Sequence, residues 1–141
     1  TLVANTKEDM YATLDIEILD LFNGNMEFIK NSACPTYVKR NGEVQLLKSV
    51  ALPTGILNNV DLVVYDYDLQ DGDILVMCSD GIIDSNKEYL NKQVWLKYLL
   101  EDIESTDAQK IADIIIGEAI DNDFGVQKDD MTVMVAKIKK K

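Results

Sequence analysis

The chain has 141 residues, of which 47% are apolar, and a formal net charge of −11. This length allows one domain with a sizeable core, and the apolar fraction argues against disorder. The acidic balance argues against nucleic acid as a partner, because phosphate binding needs a basic face. The sequence contains no His and only two Cys, which excludes His-based triads and Cys-rich or His-ligated zinc sites within this chain.

The chain has no apolar run near the ~20 residues that span a bilayer, so we expect no membrane contact from this segment. Cys34 and Cys78 are not clustered, which fits a reducing cytoplasm. Cys78 lies in an apolar run and is predicted to be a buried small hydrophobe. We therefore expect a cytoplasmic location, with any membrane anchor in regions outside this segment.

The first half of the chain has the alternating pattern of β-strands. Apolar and acidic residues alternate from Leu14 to Ile18, which predicts a half-buried strand. The alternation slips at Leu19, which indicates a bulge. Residues 52–55 are interpreted as an ordered loop. Further strands are predicted over residues 26–29, 37–39, 44–47, 63–69 and 74–78, separated by turn signals such as Asn23-Gly24 and Asn41-Gly42.

Two helices are predicted in the second half, followed by a last strand over residues 131–135. Trp95 extends the apolar face of the first helix and is expected in the core. Thr106 and Gln109 form a predicted capping box that starts the second helix. The apolar stripes at helical spacing are Leu96, Leu99, Leu100 and Ile103, then Ile111, Ala112, Ile115 and Ala119. About seven strands with hairpin connections and two helices indicate an α+β fold, with helices packed on antiparallel sheets.

Two acidic loops carry most of the functional information. Asp80-Gly81 follows the apolar strand at residues 74–78, and Asp129-Asp130 precedes the last strand. The two aspartates lie 129 − 80 = 49 residues apart, so only the tertiary fold can bring them together. Two adjacent carboxylates would repel each other, and a hard divalent cation relieves that repulsion. Each motif alone is typical of an ordinary turn, but together they indicate a site.

Two segments around these loops resemble motifs of a known family. Residues 77–84 resemble the Ser/Thr-Asp-Gly motif of metal-dependent protein phosphatases of the protein phosphatase 2C (PPM) type. Residues 128–133 resemble their final Asp-Asn/Asp-x-Thr motif. Residues 9–15, 32–40 and 52–57 resemble one branch, the phosphatase domain of the stage II sporulation protein E family. The similarity covers nearly the whole chain in order.

The resemblance implies an antiparallel β-sandwich flanked by helices, in a PPM-type α-β-β-α arrangement. Residues 1–141 would be the C-terminal portion of a single domain of this type. In the family, the N-terminal part of the domain carries further acidic metal ligands. We expect those ligands upstream of Thr1, because no residue between Thr1 and Leu14 resembles them.

The resemblance also implies roles for individual residues. Asp80 and Asp129 would be two metal-coordinating aspartates of a two-metal site that holds Mn²⁺ or Mg²⁺ in the complete domain. The metals would activate a water that attacks the phosphorus of a phosphoserine or phosphothreonine, so no side chain of this chain is assigned as a catalytic nucleophile. Asp84 and Asp130 are weaker candidates, each for a metal-bound water. Two further residues, Ser79 and Thr132, are expected to hydrogen-bond the loops.

The implied activity is that of a phosphoprotein phosphatase. The implied partner is a phosphorylated protein, namely an anti-anti-sigma factor in sporulation control. The chain alone is expected to be inactive and to self-associate, since sheet edges and apolar faces would be uncovered. One alternative is a non-catalytic regulatory or binding module on the same scaffold. Another is an unrelated acidic β protein that binds calcium, which the lack of a regular Asp-x-Asp-x-Asp-Gly loop disfavours.

Overall fold

The structure, a computed structural model, describes residues 13–48 and 64–140. These residues form two compact units, each with its own antiparallel sheet. The elements in chain order are β1 (Leu14–Leu19), β2 (Asn25–Asn31), β3 (Thr36–Arg40), β4 (Glu43–Leu47), β5 (Val64–Asp68), β6 (Ile74–Cys78), α1 (Asp80–Ile83), α2 (Gln93–Asp102), α3 (Ala108–Asn122) and β7 (Val133–Lys137). The predicted α+β class, with antiparallel sheets and helices, is confirmed.

The first unit contains a three-stranded sheet in the order β1-β2-β5. Strand β1 pairs with β2 without interruption from Leu14 to Leu19, so the bulge predicted at Leu19 is wrong. The alternation slips there because the strand ends and the turn begins. Gly24 in that turn has φ 80°, the left-handed conformation that glycine adopts readily, in agreement with the predicted hairpin.

The second unit contains a four-stranded sheet in the order β4-β3-β6-β7, with α2 against β3 and β4 and α3 against β7. Asn41 and Gly42 connect β3 to β4 with φ angles of 51° and 86°, the pair of positive values that a type I′ hairpin turn requires. The apolar core of this unit comprises Tyr37, Val44, Ile74, Val76, Ile82, Ile83, Trp95, Leu96, Leu100, Ile103, Ile111, Ile115 and Ala119.

Two predictions about single core residues can be compared with this unit. Trp95 is buried in the core, as predicted, and its indole Nε1 donates a hydrogen bond to the Ile83 carbonyl at 3.1 Å. Cys78 packs against the core but is half-buried rather than fully buried. It is the last residue of β6, where the strand leaves the core for the loop.

The helix starts and one strand boundary differ from the prediction. Asp107, not Thr106, caps α3, because its carboxylate accepts a hydrogen bond from the Lys110 backbone N–H at 2.9 Å. Helix α1 was not predicted, since a single turn is too short to show an apolar period. Strand β7 begins at Val133, two residues later than predicted. The predicted loop at residues 52–55 lies outside the described residues.

No helix among the described residues is both long enough and apolar enough to cross a lipid bilayer.

Candidate active site

The first acidic loop begins where β6 ends. Ser79 has extended backbone angles and precedes the single turn α1, which starts at Asp80. The Asp80 carboxylate is exposed, and its Oδ1 accepts a hydrogen bond from the Gly81 backbone N–H at 3.0 Å. Gly81, Ile82 and Ile83 are buried, so the turn is anchored in the core while its first carboxylate faces solvent.

The second acidic loop precedes β7. Asp129 and Asp130 are both exposed, and Asp129 Oδ1 accepts a hydrogen bond from the Asp130 backbone N–H at 2.8 Å. Gln127 fixes the same stretch, because its side-chain Nε2 donates to the Asp129 carbonyl at 2.9 Å. This local bonding orients the Asp129 carboxylate in the same way that the Gly81 amide orients Asp80.

Antiparallel pairing of β6 with β7 brings the two loops together. The pairing sets Cys78 opposite Val133, so the end of one strand and the start of the other lie at the same edge of the sheet. Ser79 continues this pairing through its backbone N–H, which donates to the Thr132 carbonyl at 2.9 Å. Its hydroxyl donates to the Asp130 carbonyl at 3.1 Å and accepts from the Thr132 N–H at 2.9 Å.

Gly81 lies against the second loop so closely that no other residue fits. A Cβ atom built at this position would lie 2.3 Å from the Asp130 carbonyl oxygen and 3.4 Å from the Asp129 Cβ. The first of these distances is a clash with backbone. Glycine is therefore required here for close approach of the two loops.

The structure thus brings the Asp80 and Asp129 loops together although the two aspartates are 49 positions apart in the sequence. The role of these aspartates as metal ligands stays a prediction. Ser79 bonds the two loops as expected, whereas Thr132 takes part through its backbone groups. Asp84 is an exposed carboxylate paired with the Lys92 ammonium at 2.8 Å, which leaves it less suited to hold a metal-bound water.

The donor chemistry of the two aspartates is compatible with a hard divalent cation. Each uses Oδ1 for a local backbone hydrogen bond, and within the described residues Oδ2 of each accepts none. Carboxylate oxygens are the ligands that Mn²⁺ and Mg²⁺ prefer. Across residues 13–48 and 64–140, no three Asp, Glu, His or Cys side chains are grouped to hold a metal. Two carboxylates would supply only part of the coordination shell of such a cation.

Comparison of the sequence with known proteins finds relatives that match nearly the whole chain. The family model described as stage II sporulation protein E matches residues 1–139. The stage II sporulation protein E of Bacillus subtilis strain 168 is 36% identical over 137 residues. That match covers 97% of this chain and 17% of the relative, so the chain spans about a sixth of the relative's length.

Comparison with solved structures shows the fold. The phosphatase domain of stage II sporulation protein E from Bacillus subtilis, in a manganese-presoaked form, matches with a TM-score of 0.82 and 34% identity. The match covers 99% of this chain and 62% of that one. A structure of the same relative's protein phosphatase 2C domain with a fragment of its regulatory domain matches with a TM-score of 0.89 and 36% identity, over 99% of this chain and 42% of that one.

Proposed function

Since this chain belongs to the stage II sporulation protein E family, we propose that it is the C-terminal portion of a single metal-dependent phosphatase domain that removes phosphate from phosphoserine on a protein. The observation that carries the proposal is the junction of the Asp80 and Asp129 loops. Ser79 bonds the two loops, and Gly81 allows them to approach without a side chain between them.

The proposed residue roles follow from that junction. Asp80 and Asp129 would hold Mn²⁺ or Mg²⁺ together with acidic residues from the remainder of the domain. The bound ions would supply an activated water and neutralise charge on the phosphoryl oxygens. Ser79 fixes the spacing of the two loops and thereby the separation of the two carboxylates. The local bonds from Gly81 and Asp130 turn each carboxylate so that Oδ2 remains available.

We propose a phosphorylated anti-anti-sigma factor in sporulation control as the substrate, and the cytoplasm as the location. The support is the family's sporulation name and the likeness to a solved phosphatase domain. The chain covers 62% of that domain's chain. We therefore propose that the 141-residue chain alone is inactive and self-associates, and that activity needs the longer gene product.

The test is manganese-supplemented hydrolysis of a phosphoserine protein by the longer gene product. Asp80→Asn and Asp129→Asn should each lower kcat by at least about a hundred-fold, because each removes a charged metal ligand. The matched control is Asp113→Asn on α3, an exposed carboxylate that accepts, among the described residues, only from the Gln109 side chain and should leave kcat at the parent value. Full activity in Asp80→Asn would contradict the assigned site.

A second candidate function is a non-catalytic binding module on the same scaffold. The observation in its favour is that the described residues contain no group of three potential metal ligands. The same assay separates the two functions. A longer gene product that binds the phosphoprotein, but does not hydrolyse it with any divalent ion supplied, would favour the module.

A further inference from the structure

The loop that joins α3 to the second acidic loop displays two apolar side chains to solvent. Phe124 is 90% exposed and Val126 is 62% exposed. Phe124 also has φ 59°, in the left-handed region that a bulky aromatic residue rarely adopts. The ring therefore gains almost nothing from burial while the backbone carries strain. Folding of the described residues alone does not account for a phenylalanine here, and residues held in such conformations cluster at functional sites.

The loop is nevertheless firmly built. The backbone N–H groups of Phe124 and Gly125 donate to the Asp121 and Ile120 carbonyls, each at 2.9 Å, and so close the end of α3. The buried Asp123 side chain accepts from the Lys128 ammonium, also at 2.9 Å. The same ammonium lies 5.7 Å from the centroid of the Phe124 ring, within the range of a cation–π interaction. The backbone that carries the exposed ring is thus held in place by these bonds.

The loop that carries this ring is connected to the candidate active site on both sides. Val126 lies three residues before Asp129, and Asp130 is bonded to Ser79 through its carbonyl. On the other side, the Asn86 side chain donates to the Asn122 side chain at 3.3 Å. That bond connects the segment after α1 to the start of the Phe124 loop. Both acidic loops are therefore tied to the loop that carries the exposed ring.

We propose that Phe124 and Val126 dock an apolar side chain of the phosphorylated protein substrate beside its phosphoserine. The inference rests on the proposed function and adds a specificity surface to it. The size of the surface favours a substrate over a second copy of this chain. One aromatic side chain offers roughly 150–250 Å², far less than the about 800 Å² per partner that a stable interface buries. Such a small contact is sufficient for substrate docking when the phosphoryl group is bound at the candidate active site as well.

The experiment compares two substrates of the longer gene product with manganese present. One is a phosphoserine protein, and the other is p-nitrophenyl phosphate, which has no polypeptide to dock. Phe124→Ala removes the ring but keeps a Cβ, so the backbone strain is the same in both forms. We expect the ratio of kcat/KM for the phosphoprotein to kcat/KM for the aryl phosphate to fall about ten-fold or more, through a higher phosphoprotein KM. Val126→Ala should lower the ratio by a smaller factor.

The matched control is Phe22→Ala, because Phe22 is also fully exposed but lies in the turn between β1 and β2. In Phe22→Ala, the ratio of kcat/KM for the phosphoprotein to kcat/KM for the aryl phosphate should equal that of the parent. A parent-like ratio in Phe124→Ala, or an equal loss with both substrates, would overturn the docking proposal. If the parent hydrolyses neither substrate, the proposed function fails separately. Calorimetric binding of the phosphoprotein then decides: a ten-fold weaker Kd in Phe124→Ala supports docking, and an unaltered Kd overturns it.

Discussion

The two units of this chain differ in how large an apolar core their sheets bury. The sheet of the first unit buries the Lys30 ammonium, which pairs with Asp15 at 2.6 Å, and leaves Ile16, Ile18 and Val64 between 40% and 55% exposed. The sheet of the second unit buries a continuous apolar core, and Asp80 and Asp129 lie exposed in the loops at one end of its β6–β7 pair. The candidate site therefore lies on the unit whose core can hold two loops in a fixed relation.

Among the substitutions that test this difference between the units, Gly81→Ala is expected to change the free energy of unfolding most. The added Cβ would lie 2.3 Å from the Asp130 carbonyl oxygen, so backbone must move and the two loops must separate. We expect a loss of about 3 kcal/mol in the free energy of unfolding, as for overpacked positions in rigid cores. Urea denaturation of the chain measures it. The phosphatase activity of the longer gene product should also fall in Gly81→Ala, because the two acidic loops must separate.

The control for that substitution is another glycine of the same unit. Gly117 lies within α3, and a Cβ there would meet no atom within 4 Å. Gly117→Ala should therefore stabilise the protein by about 0.5–1 kcal/mol, since alanine is the better helix former. Equal effects of the two substitutions would show that the loop junction is not tightly packed.

The second unit should also lose stability at alkaline pH through Tyr37. Burial, followed by the nearby Cys78 and Cys34, raises the pKa of Tyr37 well above its ordinary value. The unfolded chain ionises near pH 10 while the folded chain keeps the phenol proton, which is donated to the Gln93 carbonyl at 3.0 Å. This contribution is fully present below pH 10. Above it, the free energy of unfolding should fall by about 1.4 kcal/mol per pH unit.

Urea denaturation between pH 8 and pH 11 measures that slope. Phenylalanine has no proton to lose, so Tyr37→Phe should have a shallower slope above pH 10, even if its stability at neutral pH is lower. Tyr98→Phe replaces a half-exposed phenol and should keep the parent's slope. A Tyr37→Phe slope identical to the parent's would contradict the role of burial.

The smallest effect on stability is expected in the first unit. Ile18 is 55% exposed and lies opposite Glu27 across the β1–β2 pair. Ile18→Lys exchanges apolar surface for a cross-strand ion pair, so stability should rise by at most about 1 kcal/mol. Sedimentation of the 141-residue chain should show weaker self-association. Leu21→Lys places the same charge in the turn and should leave the association unchanged; equal effects of both would point to net charge alone.

The sequence was sufficient to predict the strands, helices and turns that have a local or periodic residue pattern. Alternation located β1 and β5, a continuous apolar run located β6, and the stripe containing Leu96 and Leu100 located the buried face of α2. The Asn41-Gly42 pair predicted its hairpin because few other residues accept two positive φ angles. These signals lie within a few residues of one another. They need no knowledge of the rest of the chain.

The contacts that shape the candidate site lie far apart in sequence. Ser79 bonds Asp130 and Thr132 across more than 50 positions, and only the pairing of β6 with β7 makes that possible. The Asp-Gly motif pointed to the position, but the closeness of Gly81 to the second loop depends on tertiary packing. The left-handed backbone of Phe124 was not predicted, because the residue of that loop expected to adopt it is Gly125, which adopts it as well.

Calorimetric titration with manganese tests the central claim most directly. The claim is that Asp80 and Asp129 supply part of a metal site that the remainder of the domain completes. We predict weak or absent binding to the 141-residue chain, since two carboxylates leave most of the coordination shell to water. Binding should be stronger in the longer gene product and should be lost in its Asp80→Asn and Asp129→Asn variants. Tight binding to the 141-residue chain that survives both substitutions would contradict the account.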